Sequence, residues 1–141
     1  MSTETQTQSR TIVTGTDFVC IPTRDLAAAR AFYGDVLGLP LGKTWGQENP
    51  VGAEYETGTL TLALVASDRL GMEYRTHTHP IAFRVDDVQA ARAELEARGV
   101  EFFADTIDSG VCHMAHFKDV DGNALMLHHR YAPPDARPTS V

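Results

Sequence analysis

The sequence predicts an α+β fold in which two βαβββ modules pair to leave a concave, mixed β-sheet cleft. Three observations carry that expectation. Asp25-Leu26-x-Ala28-Ala29-Arg30-Ala31 lines up with Asp87-Val88-x-Ala90-Ala91-Arg92-Ala93 at an offset of 62 residues. Both copies sit in the same order of strand, Asp cap, helix, Gly and strand, which is the mark of a duplicated supersecondary unit. Residues 111–130 then close the second copy as a β-hairpin.

Each element has its own local cause. Residues 11–22 are β-rich and read as a strand centred on 17–21, with Ile21 four residues before Asp25. Thr23 or Asp25 caps a helix that places Leu26, Ala29, Phe32, Tyr33 and Leu37 on or near one face and stops at Gly38. Three short strands follow at 41–45, 53–56 and 60–65, separated by turns at 46–52 and 57–59. Residues 67–79 read as a polar connector. The second unit opens with a strand at 81–85, in which Phe83 lies four residues before Asp87, and a helix that runs from 88 to Arg98 and is closed by Gly99. A strand at 101–103 and the hairpin complete it. Module 1 thus covers about 11–66 and module 2 about 80–130, in a single domain. Residues 1–10, rich in Ser, Thr and Gln, and residues 131–141, with Pro133, Pro134 and Pro138, read as flexible tails.

The hairpin repays closer reading. Its loop, Asp119-Val120-Asp121-Gly122-Asn123, combines residues that tolerate positive φ with side chains that bond a turning backbone. If Lys118 pairs with Ala124, His116 stands opposite Met126 and Met114 opposite His128. Alternation puts Cys112, Met114, His116, Ala124, Met126 and His128 on one face, and His113, Ala115, Phe117, Leu125, Leu127 and His129 on the other. His116 and His128 are then diagonal neighbours, roughly 7–8 Å apart.

Composition narrows the function classes. A chain of 141 residues with 43% hydrophobic and 22% charged residues can bury a substantial core. The net charge of −7, with no basic stripe, argues against nucleic acid as a partner. No apolar run approaches the roughly 20 residues of a membrane span. The N-terminal residues lack both a basic and an apolar leader region, so a cytoplasmic protein is expected. Cys20 and Cys112, both in expected strands, fit reduced thiols there, with a disulfide between them left open.

Three stretches carry a family resemblance: Arg24-Asp25-Leu26 leading to Ala31-Phe32-Tyr33 and Leu37-Gly38-Leu39; residues 81–88, IAFRVDDV; and Phe117-Lys118-Asp119-x-Asp121-Gly122-Asn123-x-Leu125. On these the chain resembles the vicinal oxygen chelate superfamily, the glyoxalase, bleomycin-resistance and extradiol-dioxygenase group, over residues 15–130. The resemblance implies the paired-module fold, a homodimer and a small-molecule ligand. In metalloenzymes of the group, it places a His seven residues before the Asp of the first helix cap, a counterpart in the second module, and a Glu four residues after the Gly of the last hairpin. Here those positions hold Phe18, Pro80 and Met126, and strand 60–65 has no acid to add. Phe and Pro cannot coordinate, and a thioether suits hard or borderline divalent ions poorly. No metal ligand and no cofactor are therefore expected.

The expected ligand-binding residues are Phe18, Cys20, Trp45, Tyr55, Arg84, Met114, His116, Met126 and His128. Phe18, Met114 and Met126 would supply apolar contact. Trp45 or Tyr55 would form a stacking wall, and Arg84 would meet a carboxylate or phenolate at the rim. His116 and His128 would orient the ligand. The leading expectation is a metal-independent protein that binds a small hydrophobic or aromatic molecule. The alternative is an enzyme of lyase, isomerase or dioxygenase type, with His116 as acid/base or with a displaced metal site built from Cys20, Cys112, His116 and His128. The pair His77-x-His79, beside Pro80, reads as part of a loop.

Overall fold

The computed structural model describes residues 11–139 and contains two four-stranded mixed sheets with one helical segment on each. The first module comprises β1 (Phe18–Thr23), α1 (Leu26–Arg30, continued as a π-helix Ala31–Val36), β2 (Leu41–Trp45), β3 (Gly52–Glu56) and β4 (Thr61–Ala66). The second comprises β5 (Ile81–Arg84), α2 (Val88–Ala97), β6 (Ile107–Asp108), β7 (Cys112–Lys118) and β8 (Ala124–Arg130). Their strand orders, β1-β4-β3-β2 and β5-β8-β7-β6, are the same order twice. In each, the first strand runs parallel to the last, and the rest are antiparallel.

The repeat is visible at atomic level. Asp25 and Asp87 are the N-caps of the two helices, in nearly equal extended conformations, and each carboxylate accepts the amide proton three residues on at 3.1 Å. Such a side chain satisfies one of the orphan amides that every helix start leaves behind. Gly38 and Gly99 end the helical segments with positive φ, where a side chain would be strained.

The helix-covered faces of both sheets share one core. Ile21, Tyr55, Leu62 and Leu64 of the first module join Val88, Phe117, Leu125 and Leu127 of the second through Phe32 and Tyr33. The wide turns of the π-helical segment turn both consecutive aromatics inward, 5.3 Å apart and edge to face. A strand interior of this kind, buried on one face and half-open on the other, explains the alternation seen in β7 and β8.

The Asp119–Asn123 turn fastens the modules together. Asp119 accepts amide protons from Asp121 and Asn123 within the turn, and the Tyr33 hydroxyl at 2.6 Å from across the seam. Asn123, 1% exposed, donates to the Pro22 carbonyl and to Asp119 and accepts the His77 amide proton. Asp121 accepts from the Arg24 amide and the Tyr74 hydroxyl.

Two sequence expectations change. The strand expected at 101–103 is reduced to a single bridge, Phe102 to Phe117, and the edge strand forms instead at Ile107–Asp108. Ala104 between them adopts φ of +72°, a reversal no extended strand accommodates. Residues 131–139 contain no helix or strand, yet they are held: Arg130 donates to the carbonyls of Pro133 and Ala136, Tyr131 to Asp108, and the Thr139 amide to Ser109. The expected 1–10 tail lies outside the described residues.

Candidate functional site

The face of the second sheet turned away from the core gathers most of the expected residues. Its register is the one the hairpin predicts: Lys118 with Ala124, His116 with Met126 and Met114 with His128. β5 adds Ala82 beside Met126 and Arg84 beside His128, and β6 adds Ile107 beside Met114. One unbroken row, Ile107, Met114, His128 and Arg84, therefore crosses all four strands, with His116, Met126 and Ala82 in the row next to it. Paired side chains on such a face stand about 5 Å apart. Phe103 extends the surface, its ring 6.2 Å from the His116 imidazole, with the Lys118 ammonium over it at 5.6 Å. Sequence reasoning missed Phe103, Lys118 and Ile107; the Phe102-Phe103 pair was the available signal, since one of two adjacent aromatics must face outward.

This surface mixes soft apolar area with two imidazoles and two fixed positive charges, Arg84 and Lys118. Arg84 is exposed and makes no hydrogen bond or ion pair among the described residues, so its guanidinium can take an acceptor from outside. His113 and His129 lie on the core side of the same strands, as alternation requires. His129 Nδ1 is 3.1 Å from the Val85 carbonyl, and His113 faces the Asp108 carboxylate and the Tyr131 ring. The Gly110 amide first, then the Tyr131 hydroxyl, holds the Asp108 carboxyl below its ordinary pKa.

Phe18, Cys20 and Trp45 occupy the corresponding free face of the first sheet. Phe18 is 53% exposed and Cys20 is exposed, in register with Thr61 and Ala63 of β4. Trp45 pairs with Gly52 and lays its indole across it, leaving no room for a Cβ there. Tyr55 does not join them. It is 3% exposed on the core side of β3, with its hydroxyl donating to the Arg30 carbonyl, which removes it from the expected stacking wall. The flanking Glu54 and Glu56 carry the reason: in a strand they claim the open face, so Tyr55 must point the other way.

The residues at the superfamily's coordination points do not fit a divalent ion. Phe18 and Met126 are on the free faces of β1 and β8, and Pro80 precedes β5; none offers an imidazole or carboxylate. Cys20 and Cys112 lie in different sheets; both are free thiols, and Cys112 is buried against the Ser109 hydroxyl. His77 is fixed through its backbone, which bonds the Asn123 side chain and the Ala124 amide. Among the described residues, no three His, Cys, Asp or Glu side chains stand together as a ligand set. No helix among them is long and apolar enough to cross a membrane.

Solved structures share this architecture. The antibiotic binding protein TnmS3 from a Streptomyces species superposes with a TM-score of 0.72 at 22% identity, over 86% of this chain and 99% of its own. A glyoxalase/bleomycin resistance protein/dioxygenase from Nocardioides gives 0.70 at 22% identity, over 95% and 93%. Lactoylglutathione lyase from Agrobacterium tumefaciens gives 0.69 at 18% identity, over 82% and 93%. At these identities the likeness is one of fold. No curated protein sequence matches the chain. Residues 15–127 match the sequence model of the Glyoxalase/Bleomycin resistance protein/Dioxygenase superfamily, which spans both modules and the turn that joins them. The chain belongs to that superfamily.

Proposed function

We propose that the protein is a metal-independent member of the superfamily that binds a small hydrophobic or aromatic molecule against the free faces of its sheets. The observation that carries this reading is the row Met114, His128 and Arg84 beside His116 and Met126, where thioether and apolar area adjoins two imidazoles and a guanidinium that could orient a small molecule. Met126 stands where metalloenzymes of the group are implied to have a carboxylate, so polarisation of a substrate by a cation has no support at that position. TnmS3, which is described as antibiotic binding, gives the reading a precedent in a protein of the same fold. Phe18, Phe103 and Ile107, all exposed apolar residues, favour a homodimer in which a second copy covers part of these faces. A cytoplasmic location accords with this reading.

The second reading is an enzyme with His116 as acid/base; the half-buried imidazole beside Phe103 favours it. Two measurements on purified protein separate the readings. Metal analysis after dialysis is expected to find less than stoichiometric zinc, nickel, iron or manganese; a retained stoichiometric ion ends the metal-independent reading. A thermal-shift screen of aromatic natural products is expected to yield a ligand that is bound unchanged. At 100 times its dissociation constant it would add about 2.7 kcal/mol of stability. Its conversion by wild type but not by His116→Ala would establish the enzyme instead.

A further inference from the structure

The two modules of the repeat meet at two seams, where the helix of one module meets the strand turn of the other. They are not equivalent. At one, Phe32, Tyr33 and Val36 approach the turn at Asp119, with Gly99 and Val100 alongside. The repeat offset of 62 residues maps these onto Glu94, Leu95 and Arg98, onto Thr57, and onto Leu37 and Gly38. Those mapped residues line the other seam, around a cavity of about 500 Å³. Leu95 takes the place of Tyr33 and has no hydroxyl to reach the opposing turn. Thr57, in the place of Asp119, spends its own hydroxyl on Leu60 within the turn. The bond that fastens the first seam is thus missing from the second.

The walls define what the second seam could hold. Leu39, Phe83, Val85, Ala91, Leu95 and Leu127 give it an apolar interior. Its charged lining residues are Arg84, Arg98 and Glu94. Arg98 is already satisfied, donating to the Val36 carbonyl at 2.7 Å and pairing with Glu94 at 2.9 Å. That leaves Arg84 as the uncompensated charge, in a chain whose net charge is −7. The seam at the Asp119 turn is different: Arg98 and Lys118 there are offset by Glu101 and Asp119, and it is more open to solvent. We infer that the Leu39–Leu95 seam is a binding site for a small amphipathic anion, whose apolar body enters between the modules while its carboxylate takes the Arg84 guanidinium. Volumes of about 300–1,000 Å³ suit one such molecule, and a planar fork suits a carboxylate in two-point contact. The cavity opens at the edge of β5, the outer strand of its sheet, where Arg84 borders both the cavity and the free-face row. The apolar interior behind that edge lies on the helix side and does not require the free-face reading.

The probe is 2-naphthoate, compared with neutral 2-naphthamide by calorimetry and by amide chemical-shift mapping on the full chain. Shifts are expected at Leu37, Leu39, Thr57 and Ala91, with the acid bound at least tenfold more tightly than the amide. Arg84→Gln should erase that ratio. Thr59→Trp, placed on an exposed turn at the cavity rim so that folding is spared, should weaken both probes at least tenfold. His116→Ala should change neither. Absence of binding at millimolar probe, equal affinity for acid and amide, or full affinity in Thr59→Trp would each overturn the assignment. Shifts confined to Met114, His116, Met126 and His128 would also overturn it, while leaving the free-face site standing.

Discussion

The Tyr33 hydroxyl donates to Asp119 Oδ2 at 2.6 Å, and this buried bond joins the helix of the first module to the hairpin turn of the second. Burial first, and then the neighbouring carboxylate, pushes the Tyr33 pKa well above its ordinary 10.0. Below pH 10 both folded and unfolded chains keep that proton, and its contribution to stability is complete. Above pH 10 only the folded chain keeps it, so stability should fall by about 1.4 kcal/mol per pH unit from this group, until the folded state ionises as well. Urea unfolding of wild type and Tyr33→Phe between pH 8 and 11 tests the point. The variant should be weaker by about 1–3 kcal/mol at pH 8, because Asp119 loses a buried donor, and its alkaline slope should be shallower. Parallel slopes would show that Tyr33 ionises as freely as in an open chain.

Asn123 binds three partners from three parts of the chain: Pro22 at the end of β1, Asp119 in the turn and His77 in the connector. Asn123→Ala removes donors and acceptor together and leaves the Pro22 carbonyl and the His77 amide short of partners. A loss of about 2–4 kcal/mol is expected from the sum of such deficits. Asn123→Asp retains the shape but replaces the donor facing Asp119 with a second carboxylate, so it should be no milder at neutral pH and should improve as pH falls toward 4. Denaturant midpoints across pH 4–8 read both effects.

Much of this architecture was legible because its causes are local. The hairpin register followed from a five-residue turn and strict alternation, and β7 and β8 pair as those two facts require. The Asp87 cap was legible for the same reason, and of the two candidates for the first cap, Thr23 and Asp25, the structure takes Asp25. What failed depended on neighbours or on a single dihedral. Nothing in Glu101-Phe102-Phe103 announces that Ala104 will turn left-handed and that the edge strand will form instead at Ile107–Asp108. The π-helical widening after Arg30 accompanies the approach of Gly34 to the Tyr55 ring, a tertiary contact. At the site, alternation sorted the hairpin residues correctly but was not applied to Tyr55. The seam cavity was invisible, because it arises only when two modules meet.

The twin caps offer a test of how independent the modules are. Asp25 and Asp87 make the same bond, at the same length, to Ala28 and Ala90. Either Asp→Ala substitution should cost about 1 kcal/mol. The two carboxylates share no partner, so the double variant should equal the sum within about 0.5 kcal/mol, provided the chain unfolds in one step. An unfolding curve that splits into two phases in either single variant would show that one module can open alone.

Gly52 and Trp45 connect stability to the free face of the first sheet. They are cross-strand partners in β3 and β2, and the indole lies where a Cβ on residue 52 would be. Gly52→Ala therefore forces Trp45 aside at a cost of about 1–3 kcal/mol, or less if the ring swings into solvent. Trp45 is the chain's single tryptophan, so its emission reports the outcome directly. A red shift in the variant is expected, since a half-buried indole would become wetter. If the flat ring on Gly52 is part of the surface that receives an aromatic ligand, that ligand should quench wild-type emission, and Gly52→Ala should weaken its binding about tenfold or more. An unshifted spectrum would mean that the strand yields instead of the ring. Quenching without any loss of affinity would mean that Trp45 senses the ligand from a distance without supporting it.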